Sequence, residues 1–228
     1  MAYSNFTLPQ VAKTFGLQIH EVLNPYDATP PIAPSPDLER TLNENIPLAL
    51  AINTEKARSE FLIAPILLEL RRRSPIPISL FSGTEFTIDP TQGLTGYCDY
   101  LISLSPQQLM ISAPIVAIVE AKNEDLKAGL GQCIAELVAA QTFNYQENQP
   151  FQRLYGIVTS GELWKFLQLE DKVVSIDLSN YEIHQIGKIL AILLSFLPQA
   201  PTLAQTPGDG KIGDGKIGPE VPSTSSHV

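Results

Sequence analysis

The sequence predicts an α/β domain: a mixed sheet flanked by helices on both faces, with added N-terminal helices and a disordered C-terminal tail. Ile115–Val119 is a run of five apolar residues, the mark of a strand buried on both faces. Short extended stretches lie on either side of it, at 78–104 and 154–177, divided by turn residues such as Asp89-Pro90-Thr91-Gln92-Gly93 and Ser160-Gly161. Longer segments of helical pattern precede, interrupt and follow these strands, the alternation expected of a layered α/β fold.

The first elements are helical. Thr7–Gly16 reads as a short helix with Pro9 in its first turn and Gly16 at its end. Proline-rich Asn24–Ser35 reads as a loop. Ser35 is placed to cap a helix opened by Pro36, with Asp37 and Glu39 in the dipole-favoured first turn and an end near Asn45. Asn53 or Thr54 caps the next helix, which runs toward Arg71-Arg72-Arg73 and is kinked or split by Pro65. The arginine triplet fits a helix C-terminus better than a phosphate patch.

Strands follow at Ile78–Phe81, Glu85–Ile88, Tyr97–Leu104 and Ile115–Lys122. A long helix over Leu126–Asn144 separates them from strands at Leu154–Thr159, Leu163–Leu169 and Val173–Asp177. A last helix, capped by Ser179 or Asn180, stops before Pro198. The chain therefore divides into an N-terminal helical segment (1–52) packed on a core (53–200), and a Pro/Gly/Ser-rich tail (201–228) whose composition predicts disorder. The tail's tandem Gly-Asp-Gly-Lys-Ile repeat lacks the ligand set of a calcium loop.

Composition narrows the function classes. Two cysteines, Cys98 and Cys133, make no disulfide framework, and no Cys or His pair has zinc spacing. No apolar run spans a bilayer, and Met1–Gly16 has no signal-peptide pattern, so a cytoplasmic protein without membrane contact is expected. With 15 Lys and Arg against 24 Asp and Glu, the net charge is −9. A protein this acidic binds a polyanion weakly unless a metal ion or a basic partner assists.

The chemistry concentrates where the buried strand ends. Glu120-Ala121-Lys122 follows Val119 directly. Side chains alternate along a strand, so Glu120 and Lys122 share one face. Two charges there are costly unless paired or liganded. Asp99 lies on the preceding strand, and the short connection through Ser105–Pro114 makes the two strands antiparallel neighbours. That places two carboxylates side by side, which a hard cation such as Mg²⁺ or Mn²⁺ would reconcile. A metal held this way activates water and polarises a phosphoryl oxygen, with Lys122 to assist the water or the developing charge. Glu60 lies on the helix before the sheet. Gln132 and Glu136, one helical turn apart, share a face of the helix after Lys122. Cys98 and Cys133 read as core residues, Trp164 as core or sheet surface, and Tyr97 and Tyr100 as packing groups ahead of base-stacking ones.

The series Glu60, Gly96-Tyr97-Cys98-Asp99, Ile118-Val119-Glu120-Ala121-Lys122 and Gly131-Gln132 resembles the PD-(D/E)XK nuclease superfamily. Most of all it resembles the N-terminal nuclease domain of type I restriction motor subunits and related small stand-alone proteins. The motifs cover 54–144, and Cys98 stands where the superfamily's name has proline. The resemblance implies a restriction-endonuclease-like fold and Mg²⁺- or Mn²⁺-dependent phosphodiester hydrolysis of nucleic acid, DNA first. It gives Asp99, Glu120 and auxiliary Glu60 to the metal, and makes Lys122 and Gln132 catalytic partners. The alternative is an inactive nuclease-fold module for binding or assembly. A third arrangement is a homodimer that builds its cleft from two chains.

Overall fold

Eight strands form one mixed sheet in the computed structural model, which describes residues 1–199. The strands are β1 (Gln18–Val22), β2 (Ser79–Glu85), β3 (Tyr97–Ser103), β4 (Ile115–Ala121), β5 (Arg153–Thr159), β6 (Leu163–Glu170), β7 (Val173–Asp177) and β8 (Tyr181–Glu182). Their order is β1-β7-β6-β5-β4-β3-β2, with β8 paired to β6. The β4–β5 and β1–β7 pairs are parallel and the remaining pairs antiparallel. The tail expected over 201–228 lies outside the described residues.

Helices cover both faces, as expected. On one side α1 (Leu8–Phe15) and α5 (Leu126–Gln146) bury Val11, Phe15, Leu130, Ile134 and Leu137 against Leu101, Ile118 and Val158. On the other, α2 (Pro36–Ile52), α4 (Ala64–Arg73) and α6 (Ile186–Ser195) bury Leu38, Ile66, Leu70, Ile189 and Leu193 against Ile102, Val119 and Trp164. β4 lies between these two cores, and every one of its residues is buried. The five-residue apolar run is the consequence of that position.

The helix starts follow the capping chemistry. Ser35 accepts the Leu38 N–H at 3.2 Å ahead of Pro36. Thr54, rather than Asn53, caps α3 (Glu55–Arg58) by accepting the Ala57 N–H at 3.1 Å. Asn53 instead ends α2 in the left-handed region at φ 51°. The helix expected to run from 54 toward Arg73 is divided ahead of Pro65, which lies in the first turn of α4. A π-helical turn over Ser59–Ile63 joins α3 to α4, with the Ala64 N–H bonded to the Ser59 carbonyl. Pro65 has no N–H, which leaves the Phe61 carbonyl one turn back without a helical donor. Asn45 Nδ2 donates to the Phe61 carbonyl within this turn at 2.9 Å.

Several expectations are corrected. The segment 1–52 is not only helical: β1 edges the sheet against β7. In Gln18–Val22 only Ile19 and Val22 are aliphatic, so an edge strand held by backbone pairing left little trace in composition. Helix α2 runs to Ile52, past Pro47, instead of stopping near Asn45. Leu38 and Leu42 before Pro47 and Ala49 after it are all buried in the core, so packing along the whole helix offsets the proline's lost hydrogen bond. Ile78–Phe81 and Glu85–Ile88 are not two strands. A single β2 bends into an irregular ladder, with Phe86 N–H on the Gly96 carbonyl at 2.8 Å. Ser179 and Asn180 cap no helix, because β8 and a short 3₁₀ turn precede α6.

Two arginines of the triplet, Arg72 and Arg73, act within the fold. Glu69, 1% exposed, accepts from Arg73 Nε at 2.6 Å, Arg72 at 3.0 Å, and the Ser35 N–H and hydroxyl at 3.0 and 2.9 Å. It thus ties the start of α2 to the end of α4. Burial raises its pKa, but the bonds from Ser35, Arg72 and Arg73 outweigh that and hold it below the usual carboxylate range. A depressed pKa adds stability above the unfolded-state value and loses it as pH falls through the folded one. Denaturation midpoints measured from pH 7 to pH 3 are therefore expected to fall more steeply for wild type than for Glu69→Gln; parallel curves would refute this.

Candidate active site

Strand register brings Asp99 to Glu120. Tyr100 on β3 faces Val119 on β4, so the next positions outward are Asp99 and Glu120. The Ala121 N–H donates to Asp99 Oδ2 at 2.7 Å, in place of a strand-to-strand bond. On the other side Ala121 pairs with Thr159 of β5, and the Lys122 N–H reaches the Thr159 carbonyl at 2.8 Å. Both edges of this peptide are therefore held, and the side chains it carries are fixed.

Glu120 and Lys122 do share one face, and their charged groups form a close ion pair. Lys122 Nζ also donates to Gln132 Oε1 at 3.3 Å, and Gln132 Nε2 donates to Glu136 Oε1 at 3.0 Å. A chain of polar groups thus runs from the end of β4 into α5. Glycine makes the approach possible. A Cβ at Gly129 would come within 3.0 Å of Lys122 Cγ and 2.7 Å of Val158 Cγ1. At Gly131 it would lie 2.2 Å from the Phe6 carbonyl oxygen, because the segment entering α1 crosses α5 there.

The electrostatics are those of crowded acids. Burial, then the neighbouring Asp99 carboxylate, pushes Glu120 up to about 8, against the pull of Lys122. Burial also raises Asp99, opposed by the Ala121 N–H and Lys122. For Lys122, burial lowers the pKa, but Glu120 outweighs it and the net shift is upward. Glu136 is fully buried and raised well above its usual range by burial and then by Glu120. Among the described residues, Glu120 Oε2 and Glu136 Oε2 are buried oxygens without a hydrogen-bond partner.

An open cleft of about 270 Å³ borders this set, lined by Glu55, Ser59, Glu60, Ser82, Asp99 and Tyr100 among others. Glu60 reaches its rim as an exposed residue, where Lys56 Nζ pairs with it at 2.7 Å. Glu55 lines the cleft as well and acts electrostatically on both Glu120 and Lys122. An acid at a helix start is so common that nothing in the sequence set it apart. The helix bearing these acids is anchored from below. Tyr100 Oη lies 2.7 Å from Ser59 Oγ, and buried Arg58 donates to Glu162 at 2.6 Å, Ser160 O at 3.1 Å and Asn53 Oδ1 at 3.0 Å.

The donor set fits a hard divalent cation held by two carboxylates. Asp99 and Glu120 supply oxygens from adjacent strands, and Glu120 Oε2 is a buried oxygen with no donor. Magnesium commonly takes one or two carboxylates and completes its shell with water and phosphate oxygens. Among the described residues no group of three or more His, Cys, Asp or Glu side chains is disposed around one metal position. The structure therefore does not assemble the three-acid set of Asp99, Glu120 and Glu60. Glu60 stands at the cleft mouth with Lys56, and Asp99 and Glu120 stand behind it. The cysteines are core residues as expected, their thiols pushed up by burial. Trp164 is fully buried, its Nε1 bonded to the Gly161 carbonyl at 3.0 Å. No helix among the described residues is long and apolar enough to cross a membrane. No protein-family model matches the chain, and no curated protein matches it.

Proposed function

We propose that the protein is a metal-dependent nuclease that hydrolyses phosphodiester bonds in nucleic acid, as its resemblance to the PD-(D/E)XK superfamily implies. The observation that carries this reading is the pair of adjacent carboxylates, Asp99 and Glu120, with Lys122 closed on Glu120 and Asp99 lining an open cleft. Asp99 and Glu120 would hold a Mg²⁺ or Mn²⁺ ion. When bound, such an ion lowers the pKa of a coordinated water and polarises a phosphoryl oxygen. Lys122, held by Glu120 and Gln132, would bring a positive charge to where the phosphate gains negative charge. Gln132 holds the Lys122 ammonium from the side of α5. Lys56 lines the rim too, but it is paired with Glu60, so an incoming phosphate would have to compete with that carboxylate for it. Water oxygen would bond to phosphorus and give up one proton to solvent, the bridging P–O bond would break, and the leaving oxygen would take up a proton from solvent.

Charge shapes the expected partner. Lys165 donates to the carbonyls of Asp177, Leu178 and Ser179, and Lys188 to those of Tyr26, Asp27 and Thr29. Arg58, Arg72 and Arg73 are committed to acids within the fold. The remaining cations are outnumbered, so binding to DNA is expected to be weak without a basic partner. The same internal pairing favours the second reading, a nuclease-fold module that binds or assembles without cutting. Incubation of the pure protein with single- and double-stranded DNA and RNA in Mg²⁺, Mn²⁺ or EDTA separates the two. Cutting in metal and none in EDTA is the expected result. Folded protein that cuts nothing in any metal favours the second.

A further inference from the structure

We propose that Glu136 is a positioning residue that sets the orientation of the Gln132 amide and, through it, the place of the Lys122 ammonium. Its activity arm rests on the nuclease reading; its geometric arm does not. A glutamine amide has a donor end and an acceptor end, and nothing in its shape prefers one orientation. Only the neighbours decide. Glu136 Oε1 accepts from Gln132 Nε2 at 3.0 Å. Ionised, the Glu136 carboxyl can only accept, and protonated it still offers its carbonyl oxygen to the amide NH₂, while the Lys122 ammonium, which can only donate, needs the amide oxygen on its own side. Gln132 Oε1 is thereby left facing Lys122 Nζ at 3.3 Å. In the reverse orientation an NH₂ would face an ammonium, donor against donor.

Stability alone does not explain a carboxyl in this place. Glu136 is fully buried, and its Oε2 has no hydrogen-bond partner among the described residues. Leucine there would remove a costly desolvated oxygen and pack against the apolar neighbours of α5. The carboxyl serves the polar chain instead: Glu136 to Gln132, Gln132 to Lys122, Lys122 to Glu120. Gly129 lets the Lys122 stem lie along α5, so the ammonium stays in reach of that chain.

The test compares Glu136→Leu, Glu136→Gln, Gln132→Leu and the double leucine variant with wild type. Glu136→Met serves as the apolar variant should the leucine form not fold. The expected result is a Glu136→Leu protein that melts at or above wild type and loses kcat about tenfold at unchanged KM, the effect of one charge-assisted hydrogen bond. Glu136→Gln, which keeps an accepting oxygen, is expected within about twofold of wild type. Gln132→Leu should lose as much as Glu136→Leu, and the double variant no more than either, because both act through one chain. Wild-type kcat in Glu136→Leu, or a double loss equal to the product of the single losses, overturns the proposal.

A second readout needs no activity. In protein labelled with ¹³C-lysine, the Lys122 Cε–Hε signal, assigned by its loss in Lys122→Arg, is expected to move in Glu136→Leu and return in Glu136→Gln. A signal that stays in place in Glu136→Leu overturns the proposal. If wild type cuts no nucleic acid, the nuclease reading fails, and this signal alone decides whether Glu136 positions Lys122.

Discussion

Lys122→Ala is expected to lower the single-turnover cleavage rate by about 10²- to 10³-fold, the usual loss when one donor aimed at developing charge is removed. The substitution takes away the ammonium that pairs with Glu120 and reaches Gln132. It leaves the backbone N–H of residue 122 on the Thr159 carbonyl, so β4 and β5 stay paired. Asp99→Ala is expected to lose as much by a different route. It removes a proposed metal ligand and also the acceptor of the Ala121 N–H. Rates compared below the melting temperature of each variant separate chemistry from unfolding. A Lys122→Ala protein that cuts within tenfold of wild type would remove Lys122 from the mechanism.

Gly131→Ala is expected to destabilise the fold by about 3 kcal/mol or more, at the upper end for overpacking. Its Cβ would lie 2.2 Å from the Phe6 carbonyl oxygen and 2.5 Å from the Thr7 carbonyl carbon. Those are backbone atoms, which cannot rotate away as a side-chain tip would. Either α5 shifts, carrying Gln132 and Glu136 away from Lys122, or the segment entering α1 lifts off α5 and exposes Phe6 and Val11. Urea unfolding measures the cost. Accelerated hydrogen exchange over 6–15 would locate it in the N-terminal segment, and over 126–136 in α5. A variant as stable as wild type would show that the two segments are not locked at this crossing.

The two halves of the site differed in how far the sequence exposed them. Asp99, Glu120 and Lys122 were legible because strand alternation and a short connection are local rules, and an acid at the end of an all-apolar strand breaks the local pattern. Gln132 and Glu136 were placed on one face of a helix, but their depth was not. That depth had a signal: α5 is apolar around most of its circumference over Leu130–Ala140, which marks a helix buried on all sides. Glu60 was legible as an acid on the right helix, yet the π-helical turn that sets its direction arises from packing around Pro65 and Asn45. Strand β1 escaped notice for a similar reason. It is held by pairing to β7, residues 173–177, which no local pattern in 18–22 encodes. Helix α2 passes Pro47 because tertiary burial outweighs a local breaker.

Whether Asp99 and Glu120 bind a divalent cation is settled by thermal melting of wild type and Glu120→Gln in increasing Mg²⁺ or Mn²⁺. A cation bound only by the folded protein stabilises it by about 2.7 kcal/mol at a hundredfold excess over Kd. The melting temperature of wild type is expected to rise with metal concentration, and that of Glu120→Gln to stay flat. No rise at millimolar metal, or an equal rise in Glu120→Gln, would contradict a metal centre at these two carboxylates.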